Sequence, residues 1–152
     1  METKNRFFLL MLLSALFIGF TSCGSDDEDT DYAKEIAGKY IGTLTMEGMP
    51  IAQDVEITVT RNSNTKATLK INQELAILPG MPLNIECPSD VTFKDNEYSV
   101  TGKTTWMLIA PITVNGTISS GGQANINILI SIPNTAGEMA GDFNVVFDGT
   151  KK

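Results

Sequence analysis

The 152-residue sequence contains no histidine, only two cysteines and a single tryptophan. Without histidine, no serine–histidine or cysteine–histidine nucleophile can form, and histidine-based metal sites are excluded. The carboxylates are scattered, and nothing in their spacing places two of them across a cleft, as glycoside hydrolysis requires. We therefore expect a protein that is not an enzyme and that carries no cofactor and no metal.

Basic residues are scarce. The sequence has 11 Lys and Arg against 18 Asp and Glu, which gives a net charge of −7. This balance opposes nucleic acid and anionic lipid as partners, because both attract a basic protein surface.

Long apolar runs are also missing. The longest, residues 7–20 (FFLLMLLSALFIGF), would extend about 21 Å as a helix, against a bilayer core of about 30 Å. It follows Lys4 and Arg6 and ends at small residues, which is the pattern of a secretory signal peptide. We predict that residues 1–22 are a signal peptide.

Cys23 follows this segment directly. The sequence Phe20-Thr21-Ser22-Cys23 resembles the lipobox of bacterial lipoproteins, in which the cysteine thiol receives a diacylglyceryl group and becomes the new amino terminus. The resemblance implies lipidation of Cys23, and more than one acyl chain gives stable membrane anchoring. The alternative is a disulfide between Cys23 and Cys87, which requires that Cys23 is not lipidated.

A mostly acidic block comes next, formed by Ser25, Asp26, Asp27, Glu28 and Asp29. Such a run cannot bury surface, so residues 23–31 are predicted to be a solvated tether. An acidic block after the lipobox cysteine also resembles the export signal of surface lipoproteins of gut anaerobes. It implies a lipid-anchored protein of the bacterial outer membrane, exposed at the cell surface or, alternatively, at the periplasmic face.

From residue 39 onward, apolar and polar residues alternate with a period of two, which predicts half-buried β-strands. The predicted strands cover residues 40–46, 55–61, 66–72, 83–87, 97–103, 112–119, 123–131 and 142–147. Short connections predict an antiparallel meander, either a sandwich or a closed barrel. The segment TDYAKEIAG predicts one short helix capped by Thr30 or Asp31.

The segments IAGKYIGTLTMEGMP, VEITVTRNSNTKATLKI and LPGMPLNIEC resemble the calycin-like β-barrel lipoprotein family of gut anaerobes, over residues 36–149. Gly38-Lys39-Tyr40 is similar to the lipocalin Gly-x-Trp, with tyrosine in place of tryptophan. The resemblance implies an all-β fold: an eight-stranded antiparallel up-and-down calycin-like β-barrel with a short N-terminal helix, over residues 32–152. The family has no established activity, so the resemblance transfers a fold and no catalytic residue.

A barrel of eight strands is filled by its own side chains or holds one small ligand. Two apolar stretches, ELAILPGMPLNI and WMLIAPI, are predicted to border one opening, as a packed lid or as an exposed binding surface. Trp106 is predicted to be a core or rim residue, with a stacking platform for a sugar or aromatic ligand as the alternative. The candidate ligand-binding residues are Tyr40, Leu44, Leu78, Met81, Phe93, Tyr98 and Trp106.

The sequence thus predicts a lipid-anchored, non-enzymatic binding protein that holds a small, mostly apolar ligand in or at the mouth of a β-barrel. The alternative is a filled barrel, a surface interaction or structural lipoprotein that contacts a protein or a glycan through its loops. In both cases we expect a monomer that is attached to the membrane by its lipid and binds no nucleic acid.

Overall fold

A computed structural model describes residues 30–75, 80, 82–134 and 140–152. Helix α1 (Tyr32–Ile36) is followed by eight strands: β1 (Gly38–Met46), β2 (Met49–Ser63), β3 (Lys66–Gln73), β4 (Leu83–Lys94), β5 (Glu97–Trp106), β6 (Ala110–Ser119), β7 (Gln123–Ile132) and β8 (Gly141–Lys151). Each strand pairs antiparallel with the next, and β8 pairs with β1 to close the ring. The predicted eight-stranded up-and-down barrel with a short N-terminal helix is confirmed.

Alternation along the strands places the apolar side chains inside the barrel. In β7, Ala124, Ile126, Ile128 and Ile130 are buried, whereas Asn125 between them is exposed. Successive side chains of a strand point to opposite faces, so a period-two sequence yields one apolar and one polar face. The buried residues of all eight strands form one hydrophobic core.

All eight strands are longer than predicted, and β4 shows one reason. The sequence predicts that β4 ends at Cys87, directly before Pro88, but the strand continues to Lys94. The carbonyl oxygen of Pro88 faces Gly102 of β5, and the β4–β5 ladder begins only at Ser89. In a strand, the N–H and the C=O of one residue point toward the same neighbouring strand. Proline has no N–H, and at Pro88 the missing donor would point toward β5, where no ladder hydrogen bond is made.

This arrangement leaves a gap in the hydrogen-bonded ring, which we call the seam. Residues 83–88 of β4 pair with β3 and not with β5, and residues 103–106 of β5 pair with β6 and not with β4. Near the end of the seam, Trp106 Nε1 donates a hydrogen bond to the carbonyl oxygen of Pro82 at 3.3 Å. The tryptophan therefore joins β5 to the residue that precedes β4.

Consecutive strands run in opposite directions, so the connections alternate between the two ends of the barrel. The β2–β3, β4–β5 and β6–β7 connections lie at one end, together with α1, whose Ala33 N–H donates to the carbonyl oxygen of Asn64. We call it the helix end. The β1–β2, β3–β4, β5–β6 and β7–β8 connections lie at the opposite end, which we call the rim end.

The predicted helix is confirmed, and Asp31 is its N-cap. The Asp31 carboxylate accepts from the backbone N–H of Lys34 at 3.0 Å and from Arg61 Nε at 2.7 Å. Ala33 and Ile36 are buried in the core, so the helix covers the helix end with its apolar face. No helix in the described part of the chain has the length and apolar character needed to cross a bilayer.

Candidate functional site

The structure separates the candidate ligand-binding residues instead of grouping them. Tyr40 and Leu44 are completely buried inside the barrel. Phe93 and Tyr98 lie at the helix end, and Trp106 lies at the rim end. The remaining candidates fall outside the described residues: Leu78, Met81, the lipidation site Cys23, and Ser25, Asp26, Asp27, Glu28 and Asp29 of the tether.

Tyr40 makes a structural contact. Its hydroxyl donates to the carbonyl oxygen of Ile36 at 2.8 Å, which ties the last turn of α1 to β1. Burial raises the pKa of Tyr40 to about 12. Because neither Tyr40 nor the equally buried Leu44 reaches the surface, a ligand outside the barrel cannot contact them in this conformation.

Phe93 and Tyr98 pack against the helix. The ring of Phe93 stacks on Tyr32 with centroids 5.9 Å apart and contacts Tyr98 at 4.6 Å. Burial, with smaller contributions from Glu35 and Tyr32, raises the pKa of Tyr98. These aromatic rings therefore pack against α1. They lie at the opposite end of the barrel from Trp106, so the three side chains cannot form one stacking surface for a ligand.

The middle of the barrel is filled by side chains. The cavity bordered by Ile57, Ile85, Val114 and Ile128 has a volume of about 10 Å³. A cavity needs about 10–15 Å³ to hold a single water molecule. This part of the interior has no room for a ligand unless the barrel changes its packing.

Large apolar side chains are exposed at the rim end. The exposed fractions are 56% for Met107, 93% for Leu108 and 60% for Ile109 in the β5–β6 connection, and 63% for Met49 in β2. We call these four residues the rim surface. In the ring of strands, β1 and β2 stand opposite β5 and β6, so the rim surface flanks the opening from two sides. Trp106, 5% exposed, lies directly before it.

The β5–β6 connection, which carries three of the four rim-surface residues, has a backbone that is unfavourable for Met107 and Leu108. Ile109 N–H donates to the carbonyl oxygen of Trp106 at 3.3 Å, and φ is 52° at Met107 and 64° at Leu108. Turns with two consecutive residues of positive φ favour Asn, Asp and Gly, and each other residue costs about 1–2 kcal/mol in the left-handed region. Neither backbone preference nor burial explains Met107 and Leu108, which makes them candidates for a binding role.

Sequence reasoning located this surface in part. The stretch WMLIAPI predicts a border of the opening, and its residues 107–109 are indeed at the rim end, whereas Trp106 and Ala110 are buried. Met49 was missed, because MEGMP indicates only a turn. A methionine beside a turn glycine is the signal that could have found it.

Two grooves lie on the outer wall among the described residues. One, of about 430 Å³, is lined by Glu97, Thr117, Asn125 and Asp148, among others, and a second, of about 330 Å³, lies over the seam beside Pro88. Both linings combine polar side chains with exposed apolar atoms, and neither contains a large apolar side chain. They therefore suit an apolar ligand less well than the rim surface does. Within the described residues, no three His, Cys, Asp or Glu side chains are grouped to hold a metal ion.

Comparisons of the chain with protein-family models, with curated proteins and with solved structures found no match.

Proposed function

We propose that the protein is a lipid-anchored, non-enzymatic binding protein of the bacterial outer membrane that holds a small, mostly apolar ligand at the rim end of its barrel. The observation that carries this proposal is the rim surface, where three consecutive large apolar residues are exposed. Burying one such side chain stabilises a protein by about 1.5–3 kcal/mol. A bound ligand would supply that burial at Met107, Leu108 and Ile109.

The packed interior favours the rim over the inside of the barrel as the binding place. The cavity of about 10 Å³ is far smaller than a ligand site, which usually occupies roughly 300–1,000 Å³. A ligand at the rim needs no repacking of the core. It would lie near Trp106, the single tryptophan of the chain.

The lipid anchor and the surface location rest on the sequence. The lipobox-like cysteine, the apolar segment before it and the acidic block after it support export and lipidation at Cys23. The resemblance to calycin-like lipoproteins agrees with the eight-stranded barrel. Metabolic labelling with an alkyne fatty acid should mark the wild-type protein, and Cys23→Ala should abolish the label.

The acidic block has its own test. Replacing Asp26, Asp27, Glu28 and Asp29 together by Ala should reduce digestion by an external protease on intact cells, because the surface-export signal is lost. Cell lysates should show the variant at normal abundance. Unchanged digestion on intact cells would remove the export interpretation.

The same packed interior also favours the second candidate function, a filled barrel that contacts a protein or a glycan through its loops. The two candidates differ in what covers the rim surface. If the protein binds a small apolar ligand, a neutral apolar probe should bind at the rim surface with a defined affinity. If the barrel instead contacts a protein or a glycan through its loops, no such binding is expected.

Titration with Nile red, a neutral apolar dye, tests the proposal. The dye should bind the purified wild-type protein and change the fluorescence of Trp106. The double variant Met107→Asn/Leu108→Gly should bind at least about tenfold more weakly, since it loses two exposed apolar side chains. It should also be more stable to heat, because Asn and Gly suit the backbone of the turn.

Phe93→Ser is the matched control, because Phe93 is also partly exposed, at 39%, but lies at the helix end. It should leave Nile red binding unchanged. If Met107→Asn/Leu108→Gly bound the dye as tightly as the wild type, the rim surface would not be the ligand site and the proposal would fail.

A further inference from the structure

The two ends of the barrel differ in charge. Lys and Arg side chains in the described residues number nine. Seven belong to α1 or to strand segments near the helix end: Lys34, Lys39, Arg61, Lys66, Lys94, Lys151 and Lys152. The other two are Lys70, which pairs with Glu86 at 4.0 Å, and Lys103 in β5. The rim end therefore has little positive charge.

Acidic side chains also lie at the rim end. Glu47 lies in the β1–β2 turn next to Met49, Glu74 follows β3 directly, and Asp142 is the second residue of β8. All three are exposed. The four ion pairs found in the described part of the chain involve none of them. Their charges are thus not neutralised by a lysine or arginine of that part.

We propose that the rim surface selects amphiphiles with a cationic head group, whose apolar part covers Met107, Leu108 and Ile109. This rests on the proposed function and adds the charge of the ligand to it. The apolar part gains burial, and the head group extends across the opening toward Glu47, Glu74 and Asp142. Charge complementarity of this kind favours one ligand over another of equal apolar area.

The expected selectivity is moderate. Exposed charges attract each other weakly in water, so the cationic head group should improve affinity by about three- to tenfold. An anionic head group should weaken binding by a similar factor, because it is repelled by these carboxylates and the rim end has little positive charge. Both effects should shrink at high salt, because the distance beyond which exposed charges are largely screened falls from about 10 Å at 0.1 M to about 3 Å at 1 M ionic strength.

Three probes that share one decyl chain test this inference: decyltrimethylammonium, 1-decanol and decanoate. Each displaces Nile red from the purified protein below its micelle-forming concentration. We expect decyltrimethylammonium to bind most tightly and decanoate most weakly. The double variant Glu47→Gln/Asp142→Asn should bring the three affinities together and leave 1-decanol unchanged. Glu97→Gln, a substitution at the helix end, is the control and should preserve the order.

The outcomes separate this inference from the proposed function. Equal affinity for the three probes, or tightest binding of decanoate, would overturn the cation preference and leave rim binding intact. Failure of all three to bind would overturn both. Tight binding of decyltrimethylammonium that survives Met107→Asn/Leu108→Gly would mean attraction to the acidic protein in general, and would also overturn the inference.

Discussion

The β4–β5 and β5–β6 connections each contain two consecutive residues with similar positive φ, but the side chains at these positions differ. Asp95 and Asn96 have φ of 53° and 66°, and Met107 and Leu108 have φ of 52° and 64°. Asp and Asn tolerate this conformation, and Asn96 Nδ2 also donates to Ser120 Oγ at 3.4 Å. Met and Leu do not. In the β4–β5 turn at the helix end, the residues suit the backbone conformation. In the β5–β6 connection at the rim end, large exposed side chains occupy a conformation that is unfavourable for them.

The largest effect is expected when the β4–β5 turn receives the two turn residues of the β5–β6 connection. Asp95→Met/Asn96→Leu should lower the free energy of unfolding by about 2–4 kcal/mol, since each residue costs about 1–2 kcal/mol in the left-handed region. Urea denaturation measures the change. The variant should gain no affinity for decyltrimethylammonium, because the helix end lacks the other rim residues. A loss below about 0.5 kcal/mol would contradict the claim that the rim turn is strained.

Tyr40→Phe tests what holds the helix end together. Removal of the hydroxyl leaves the Ile36 carbonyl oxygen without this donor, which should cost about 1–3 kcal/mol. Nile red binding at the rim should not change. Urea denaturation at neutral pH measures the cost, with wild type as reference.

The same pair of proteins should differ in pH dependence. The pKa of Tyr40 rises from 10.0 in the unfolded chain to about 12 in the folded one, because burial disfavours the phenolate. Its stabilising contribution is complete below pH 10 and disappears as the pH rises through 12. The stability difference between wild type and Tyr40→Phe should therefore shrink across this window. A constant difference would show that Tyr40 titrates normally.

The smallest effect is expected at the helix cap. Asp31→Ala removes the acceptor of the Lys34 N–H and the ion pair with Arg61, and should cost about 0.5–2 kcal/mol. Asp31→Asn keeps a capping oxygen and should cost less than about 1 kcal/mol, which isolates the ion pair. Thermal unfolding in low and high salt measures both. Equal losses for the two variants would assign the whole effect to the charge.

Much of the barrel could be predicted from local pattern. Val55, Ile57 and Val59 alternate with polar residues in the sequence and are all buried in the structure. This works because the pleat of a strand imposes the period directly. Asp31 as helix cap is equally local, since its carboxylate reaches an N–H only three residues away.

Other features depend on contacts that are distant in sequence or on backbone geometry without a residue signal. Trp106 reaches Pro82, and no spacing rule predicts that pair. Nothing in Met107-Leu108 indicates a tight turn, since it lacks the Asn, Asp or Gly by which such turns are recognised. Phe93 and Trp106 are both aromatic residues near the ends of their strands, so the sequence does not distinguish them. Because β4 and β5 are antiparallel, the two residues lie at opposite ends of the barrel.

The seam should make β4 and β5 easier to separate at the rim end than at the helix end. Between residues 83–88 of β4 and 103–106 of β5 there is no ladder, and the Trp106–Pro82 hydrogen bond is the contact that joins β5 to the start of β4. One hydrogen bond contributes only about 0.5–1.5 kcal/mol, whereas the ladder at the helix end contains several. We therefore expect thermal motion to open the barrel wall between these two strands at the rim end before it opens their helix-end ladder.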